Sequence, residues 1–288
     1  MNLVPASGSF TNMFDLWFFA LPHSFWYLVL IMLVFSLVSY KTRQLSASGS
    51  AAAFLVGFGI TYFLGFGGLT TMLLFFLFAG VLSKFAKIRS KVDVEDIQKK
   101  GSRRDGMQVF ANGGMALVAA VLYGLSPSMV ALVMFASSVA EAASDTFAGE
   151  IGILSKGQPV SIITGRKMKK GLSGAVSGLG SLAGLLGALF IAIYWMSNFL
   201  PLEGKSLAYA SIVAISGFFG CLMDSVLGAT VQAHYYDQER DCLTEHPTSN
   251  GKKLPLERGF RWIDNDLVNL MSNVIASLLG ASLILVVG

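Results

Sequence analysis

Charged side chains are scarce in this sequence, and their scarcity excludes an ordinary soluble domain. Asp, Glu, Lys and Arg make up 13% of the 288 residues, whereas about a quarter is usual in soluble proteins. Hydrophobic residues make up 54% of the chain, and the mean hydropathy is +0.64. The composition therefore indicates an integral membrane protein.

Other features are also missing, and each absence argues against a class of protein or site. No Lys or Arg precedes Lys41, so we expect neither a secretory signal with a basic start nor an Arg-rich transit peptide. Cys221 and Cys242 fall in an apolar segment and in a loop, so a disulfide is not expected. Cys242, His234 and His246 are too loosely spaced to favour a zinc site. The chain also lacks the Gly-x-x-x-x-Gly-Lys-Ser/Thr motif of P-loop proteins.

Apolar segments dominate what is present. Windows of about 19 residues identify eight segments, each long enough to cross a hydrocarbon core of about 30 Å as a helix. They lie near residues 21–40, 46–65, 68–86, 107–125, 127–145, 172–196, 207–232 and 266–287. We therefore predict an all-α, polytopic bundle of about eight transmembrane helices. Residues 1–20 would form a short N-terminal tail, and 21–288 a single membrane-embedded catalytic domain.

Basic residues predict the orientation of this bundle. Of the 21 Lys and Arg residues, all except Lys205 fall in intervening loops of one parity, which places them on one side of the membrane. The positive-inside rule assigns that side to the cytoplasm, so both termini would be non-cytoplasmic. These loops account for the pI of about 9.0, and no nucleic-acid partner is expected. We expect a multi-pass protein of a bacterial plasma membrane.

Polar residues recur every four positions at the same end of four segments. These stripes are Arg104, Gln108 and Asn112; Glu141, Asp145 and Gly149; Asp224, Gly228 and Gln232; and Asn265, Asn269 and Asn273. A spacing of four places each stripe on one helical face. At about 1.5 Å per residue, all four stripes lie in the cytoplasmic third of the membrane. We therefore predict a shared pocket that opens to the cytoplasm.

The carboxylates in these stripes are energetically costly. An ionised carboxylate at membrane depth costs roughly 2.5–3.5 kcal/mol, and Glu141 and Asp145 repel each other at i,i+4. Hydrogen bonds between helices explain amide side chains such as Asn273, Gln108 and Gln232. Ionised carboxylates cannot donate hydrogen bonds to one another, so a bound cation is the better explanation for them.

Small residues follow the loop after the fifth segment, where residues 171–180 read GLSGAVSGLG. A helix that begins at Gly171 would offer free N–H groups to a phosphate, with lysines nearby. The same glycines also suit close helix packing, and Lys169 and Lys170 suit contact with anionic lipid. Together with the carboxylates, the pattern describes a cation–phosphate site. A nucleotide would enter it from the cytoplasm and a lipid acceptor from the bilayer.

Five ordered motifs in these regions resemble the phytyl-phosphate kinase and transmembrane-protein-19 family. They are residues 103–113 (RRDGMQVFANG), 143–152 (ASDTFAGEIG), 171–180, 224–229 (DSVLGA) and 264–269 (DNDLVN). The family usually has Lys-Arg-Asp-Ala where this chain has Arg103-Arg104-Asp105-Gly106. The resemblance runs from about Leu45 to the C-terminus. It implies CTP-dependent phosphorylation of an isoprenyl monophosphate, such as phytyl phosphate, to the diphosphate.

The resemblance also implies roles for individual residues. Magnesium would be held by Asp145 with Glu141 or Glu150, and Asp224 would complete the cation site. The catalytic groups would be Asp145, Asp224, Arg104 and Asn112. The nucleotide and pocket contacts would be Ser173, Gly174, Ser177, Gly178, Asn265 and Asn269. A lipid-phosphate cytidylyltransferase would need the same groups. The Ser-Asp-Thr sequence at residues 144–146 of this chain also resembles the signature of the phosphatidate cytidylyltransferases. A transporter with membrane carboxylates is a further alternative, although the sequence shows no convincing internal repeat.

Overall fold

The computed structural model describes residues 13–90, 103–201 and 204–287, most of which form a bundle of α-helices. The helices are α1 Met13–Ala20, α2 Ser24–Lys41, α3 Ala47–Arg89, α4 Gly106–Leu125, α5 Met129–Gly152, α6 Gly178–Phe199, α7 Ser206–Thr230 and α8 Asn265–Val287. Seven of them, α2 to α8, are long and apolar enough to cross a membrane. The predicted polytopic helical membrane protein is thereby confirmed. Residues 1–12 of the predicted tail, and Lys91, Lys99 and Lys100, lie outside the described residues.

Helix α3 contains both the second and the third predicted segments in its 43 residues. It is interrupted at Gly65, where φ is 69° and the backbone is not helical. The backbone oxygen of Arg104 accepts a hydrogen bond from Ser46 N (2.9 Å), while its guanidinium carbon lies 5.8 Å from the Phe75 ring centre. Ser46 and Phe75 would be about 43 Å apart along a straight helix. The two halves of α3 therefore fold back on each other, which accounts for eight membrane-length segments.

The turn at Gly65 depends on the short helix α1. Asp15 is buried, and its Oδ1 accepts a hydrogen bond from Phe66 N (2.9 Å), which caps the second half of α3. A Cβ atom at Gly65 would lie 2.5 Å from Asp15 Oδ2, in addition to the strain of a positive φ. Part of the predicted tail is thus a helix that packs against the bundle.

Helix α5 is the central helix of the bundle. Its residues from Ala131 to Ser144, except Met134, are buried, and most are Ala, Ser or Val. Small residues let neighbouring backbones approach closely, which is how membrane helices pack without a hydrophobic driving force. A Cβ atom at Gly217 or Gly220 of α7 would lie within 2.6 Å of Ala140 or Glu141 on α5. The polar segment that ends α5 is therefore held at the centre of the fold.

Two predicted helix boundaries are wrong. Helix α5 continues past residue 145 to Gly152, so Glu150 is helical. Helix α6 begins at Gly178, because Ser177 caps it with an Oγ that accepts from Gly180 N (3.1 Å). Gly171 and Gly174 both have φ of 84°, which a helix cannot contain. The segment before α6 is a tight loop whose strand β2 (Ala175–Val176) pairs antiparallel with β1 (Val160–Ser161).

The segment between α7 and α8, predicted as a cytoplasmic loop, contains short strands. We call residues 231–264 the β-loop. Its strands are β3 His234–Asp237, β4 Cys242–Thr244, β5 Thr248–Ser249, β6 Lys252–Lys253 and β7 Leu256–Arg258. β3 is the centre of an antiparallel sheet in the order β4-β3-β7, and β5 pairs with β6. The β-loop is folded over the end of the bundle, where the polar stripes lie.

Candidate active site

A polar cavity of about 380 Å³ lies where the N-termini of α4, α6 and α8 meet the C-terminal ends of α3, α5 and α7. We call it the polar cavity. Members of all four predicted stripes line it: Arg104, Gln108, Asn112, Asp145, Gly149, Asp224, Asn265 and Asn269. These residues come from distant parts of the chain. The structure therefore brings together the shared pocket that the stripes predict.

Opposite charges balance in the wall of the polar cavity. The carboxylates are Asp145, Glu150 and Asp224, and the cations are Lys87, Arg104 and Lys170. A wall with no net formal charge does not favour an isolated polyanion. It suits a ligand that brings charges of both signs, such as a phosphate group accompanied by a divalent cation.

Asp145 is the carboxylate best placed to bind a ligand. It lies about two turns before the end of α5, is half-buried, and lines the cavity. No residue in the described parts of the chain forms a hydrogen bond or ion pair with it. A half-buried carboxylate without a protein donor is available to a bound cation or to a donor on the ligand.

Asp224 faces the same cavity from α7 but has partners on α8. Its Oδ2 accepts from the Asn269 amide (3.0 Å), in the amide orientation that also satisfies the Asn265 carbonyl. Ser272 Oγ lies 3.3 Å from the same oxygen. Asp224 is thus fixed in position by α8 while it remains part of the cavity wall.

Glu141, which the motif resemblance implies as a metal ligand, does not line the polar cavity. It is buried, its Oε1 accepts from Ser272 Oγ (2.7 Å), and its Oε2 accepts from Asn273 Nδ2. Asn273 Oδ1 in turn accepts from Ser138 Oγ (2.5 Å). We call Ser138, Glu141, Ser272 and Asn273 the closed network, because each member has partners inside the bundle.

Arg104 is held at the entrance to α4. Its backbone pairs with Gln44 and Ser46, and its guanidinium lies over the rings of Phe75 and Phe76. Burial lowers the pKa of Arg104, and the nearby Glu150 opposes this shift. An arginine remains protonated in proteins, so partial desolvation strengthens its attraction for an anion.

Other residues of these motifs have structural partners. Asp105 and Gln108 form a capping box at the start of α4, with both hydrogen bonds at 3.0 Å. Arg103 donates to the Leu45 carbonyl (3.0 Å). Glu150 accepts a hydrogen bond from Ser83 across the cavity. These contacts fix the backbone around Arg104 and orient the cavity wall.

The loop before α6 contributes backbone and hydroxyl groups to the cavity. Ser173 donates to Glu245 from both its N (3.3 Å) and its Oγ, and its Oγ accepts from Gln232 Nε2 (3.0 Å). Gly174 packs so closely on α7 that a Cβ atom would lie 2.6 Å from Ala229. Ser177 lines the cavity, while Gly178, another residue assigned to nucleotide binding, is not part of the wall.

Sequence reasoning missed three residues near the site: Glu245, Lys87 and Ser83. Lys87 and Ser83 lie on the last turns of α3 and line the polar cavity. Glu245 is buried in the β-loop, and burial raises its pKa to about 7 against the opposing effect of the Ser173 hydrogen bonds. None of the three lies in a polar stripe. Spacing along the sequence therefore offered no signal for them.

Carboxylate oxygens of the kind that Mg²⁺ prefers are present, but they do not form a complete metal site. No group of three or more His, Cys, Asp or Glu side chains within the described ranges is arranged to hold a metal ion. Mg²⁺ usually binds one or two carboxylates and completes its shell with water and substrate phosphates. Asp145 and Asp224 fit that pattern, in which the phosphate ligand supplies the remaining oxygens.

A narrow apolar pocket of about 70 Å³ opens beside the polar cavity. Side chains from α2, both halves of α3 and α4 line it, among them Met32, Phe35, Val56, Leu69, Met72, Leu73, Phe75 and Phe76. We call it the apolar pocket. Its polar residues are Arg104, Gln108 and Asn112, and all three also line the polar cavity. The two spaces therefore meet at one wall.

Comparisons with known proteins identify relatives across most of the chain. Protein PGR of Arabidopsis thaliana is 31% identical over 277 residues, which cover 88% of this chain and 94% of that protein. An uncharacterized membrane protein of Methanocaldococcus jannaschii is 34% identical over 203 residues, 70% of this chain and 80% of its own. Protein VTE6, chloroplastic, of Arabidopsis thaliana is 28% identical over 241 residues, 81% and 63% respectively. No solved structure matches significantly.

These relatives come from a plant and an archaeon, so they do not support the expected bacterial plasma membrane. The profile of the integral membrane protein family DUF92 matches residues 30–277, which include every motif described above. The resemblance drawn from those motifs is confirmed at the level of the family. The chain belongs to the DUF92 family of integral membrane proteins.

Proposed function

We propose that this protein is a membrane lipid kinase that transfers a phosphoryl group from a nucleotide, CTP, to an isoprenyl monophosphate. The observation that carries the proposal is the junction of the apolar pocket with the polar cavity at Arg104, Gln108 and Asn112. An amphiphile with an anionic head and an apolar tail matches such a junction. A water-soluble phosphate would leave the apolar pocket unused.

Arg104 is the residue that best suits the acceptor's phosphate. Arg104 lines both spaces, and a guanidinium can bind phosphate oxygens through two parallel hydrogen bonds. Asn112, about two turns into α4, also lines both spaces and is a second polar contact. The tail would extend from there between α2 and the halves of α3, where Phe35 and Phe76 are in edge contact.

The donor phosphates would occupy the polar cavity beside Asp145 and Asp224. Bound Mg²⁺ would neutralise phosphate charge, held by these two carboxylates. Lys87 and Lys170 line the same cavity and can orient the donor. An acceptor phosphate oxygen would form the new bond to the terminal phosphorus, and the bond from that phosphorus to the bridging oxygen would break, releasing CDP. The acceptor is already anionic, so no strong base is required.

The alternative lipid reaction differs in which phosphorus is attacked. A cytidylyltransferase would direct the lipid phosphate to the innermost phosphorus and release pyrophosphate. The same metal and cationic groups would serve both reactions. The motif resemblance to phytyl-phosphate kinases favours attack on the terminal phosphorus, at the face that the basic loops assign to the cytoplasm.

Product analysis tests the proposal. Purified protein would be incubated with labelled CTP, Mg²⁺ and a panel of isoprenyl monophosphates, with inorganic phosphate as an acceptor without a tail. A lipid diphosphate together with CDP is the expected result, and inorganic phosphate should be a poor acceptor. A CDP-lipid with pyrophosphate would instead establish the transferase. Ion flux in liposomes without turnover of any lipid would exclude both enzymes and support a transporter.

A further inference from the structure

A second polar space, which we call the side cavity, lies between the β-loop and the start of α8. Its volume is about 210 Å³. Gln232, Tyr235, Arg261 and Asp264 are among the residues that line it. Gln108 and Asn265 line both the side cavity and the polar cavity, so the two spaces adjoin. The mechanism described above makes no use of the side cavity.

Two polar groups at the side cavity have no partner in the described parts of the protein. Gln232 is 1% exposed; its Nε2 donates to Ser173 Oγ (3.0 Å), but its Oε1 accepts no hydrogen bond. Leaving a buried acceptor unsatisfied costs about 1–3 kcal/mol. Arg261 also forms no hydrogen bond or ion pair within the described ranges. A ligand that donates a hydrogen bond would satisfy Gln232 Oε1, and the solvent-exposed Arg261 can donate to the same ligand.

We propose that the side cavity binds the nucleoside end of the nucleotide whose phosphates occupy the polar cavity. This inference rests on the proposed function, which requires a nucleotide donor. A base offers amino donors to an amide oxygen such as Gln232 Oε1, and acceptors to a guanidinium such as that of Arg261. Ribose hydroxyls can donate to the Asp264 carboxylate. One extended ligand can occupy both spaces, because Gln108 and Asn265 belong to both.

The chemistry of the wall argues against a lipid tail in this position. Amide, carboxylate and guanidinium side chains make up most of the side-cavity wall, together with Ala233, Tyr235 and Pro247. The apolar pocket, by contrast, is lined mostly by hydrophobic side chains. Gln108 is common to all three spaces. Tail, phosphates and nucleoside would each have a separate compartment around it.

Nucleotide binding by the purified full-length protein tests this assignment. Affinity for CTP would be measured by calorimetry with Mg²⁺ present, and inorganic tripolyphosphate would serve as the probe that lacks a nucleoside. Arg261→Ala and Asp264→Asn should each weaken CTP binding by tenfold or more. Both should leave tripolyphosphate binding within about twofold of the unmodified protein, because tripolyphosphate has no nucleoside for these residues to contact. The tenfold loss of CTP affinity corresponds to about 1.4 kcal/mol.

Arg240→Ala is the matched control, because Arg240 lies in the same β-loop but outside the side cavity, with a half-exposed side chain. It should bind both probes normally. Asp264→Asn retains an oxygen that can accept from Leu267 N, so α8 should keep its first turn.

The outcomes separate this inference from the proposed kinase activity. Unchanged CTP binding in both variants, or an equal loss of CTP and tripolyphosphate, would overturn the nucleoside site and leave the kinase proposal intact. A selective loss of CTP binding in a protein that phosphorylates no lipid would support the site and overturn the kinase. A protein that binds no CTP at all would refute both.

Discussion

Glu141 and Asp145 lie one turn apart on α5, yet their surroundings are opposite. Glu141 is buried in the closed network and accepts hydrogen bonds from Ser272 and Asn273. Asp145 lines the polar cavity and has no hydrogen-bond partner in the described parts of the chain. The comparison shows that two carboxylates with the same sequence signature can have different uses. One joins the helices of the bundle, and the other is available to a ligand.

The largest expected effect is the loss of turnover when Asp145, the carboxylate that lines the polar cavity, is neutralised. Asp145→Asn should lower turnover by at least about 100-fold, the usual loss when one group that stabilises developing charge is removed. Its thermal stability should not fall, since no protein donor loses a partner. Turnover of the isoprenyl phosphate and the melting temperature in detergent would be measured together. A variant that keeps its activity would remove Asp145 from the cation site.

Substitution of the two glycines assigned to nucleotide binding should affect the stability of the protein differently. Gly174→Ala would place a side chain at φ 84° and 2.6 Å from Ala229, whereas a Cβ atom at Gly178 meets nothing within 4 Å. Strained backbone of this kind costs about 1–3 kcal/mol, and the contact adds to it. Gly178→Ala should be neutral. Equal melting temperatures for the two variants would contradict the tight packing of the loop on α7.

Truncation of Glu141, the carboxylate of the closed network, should lower the free energy of unfolding. Glu141→Ala would remove one acceptor from the buried donors Ser272 Oγ and Asn273 Nδ2, whose other acceptors are the Asn269 carbonyl and, for Ser272, Asp224. We expect a cost of about 1–3 kcal/mol. Asp145→Ala, one turn away, is the matched control and should melt near the unmodified protein. If Glu141→Ala is as stable as Asp145→Ala, the claim that Glu141 stabilises the bundle and Asp145 does not is contradicted.

The most gradual effect, small within any one pH unit, concerns Glu245, a third carboxylate, which lies outside the helices. Burial raises its pKa from 4.5 to about 7, so the folded protein keeps this proton to higher pH than the unfolded chain. The stability is fully present below about pH 4.5 and declines as pH rises to about 7, by at most about 1.4 kcal/mol per pH unit. Glu245→Gln should flatten this decline in melting temperature, and a decline that persists in this variant would exclude Glu245 as its cause.

Much of the bundle could be predicted because helical periodicity and hydropathy are local properties. The ends of α2, α4, α7 and α8 lie within three residues of the predicted segments. The loop before α6 could not be predicted, because its conformation depends on contacts distant in the sequence. Ser173 is held by Glu245, and Gly174 by its contact with Ala229 on α7. The turn at Gly65 likewise requires Asp15.

The candidate site divides in the same way. The sequence by itself determined that polar residues gather at one end of four helices, since residues spaced by four share one face of a helix. Arg104 and Gln232, which the pattern also placed on these faces, lie just outside α4 and α7. Only the tertiary structure decided which of those residues open to a cavity. In the folded protein Glu141 lies among hydrogen-bond donors, Asp145 has none within the described residues, and the β-loop covers the site. Partners from other helices make the difference, and a local pattern does not specify them.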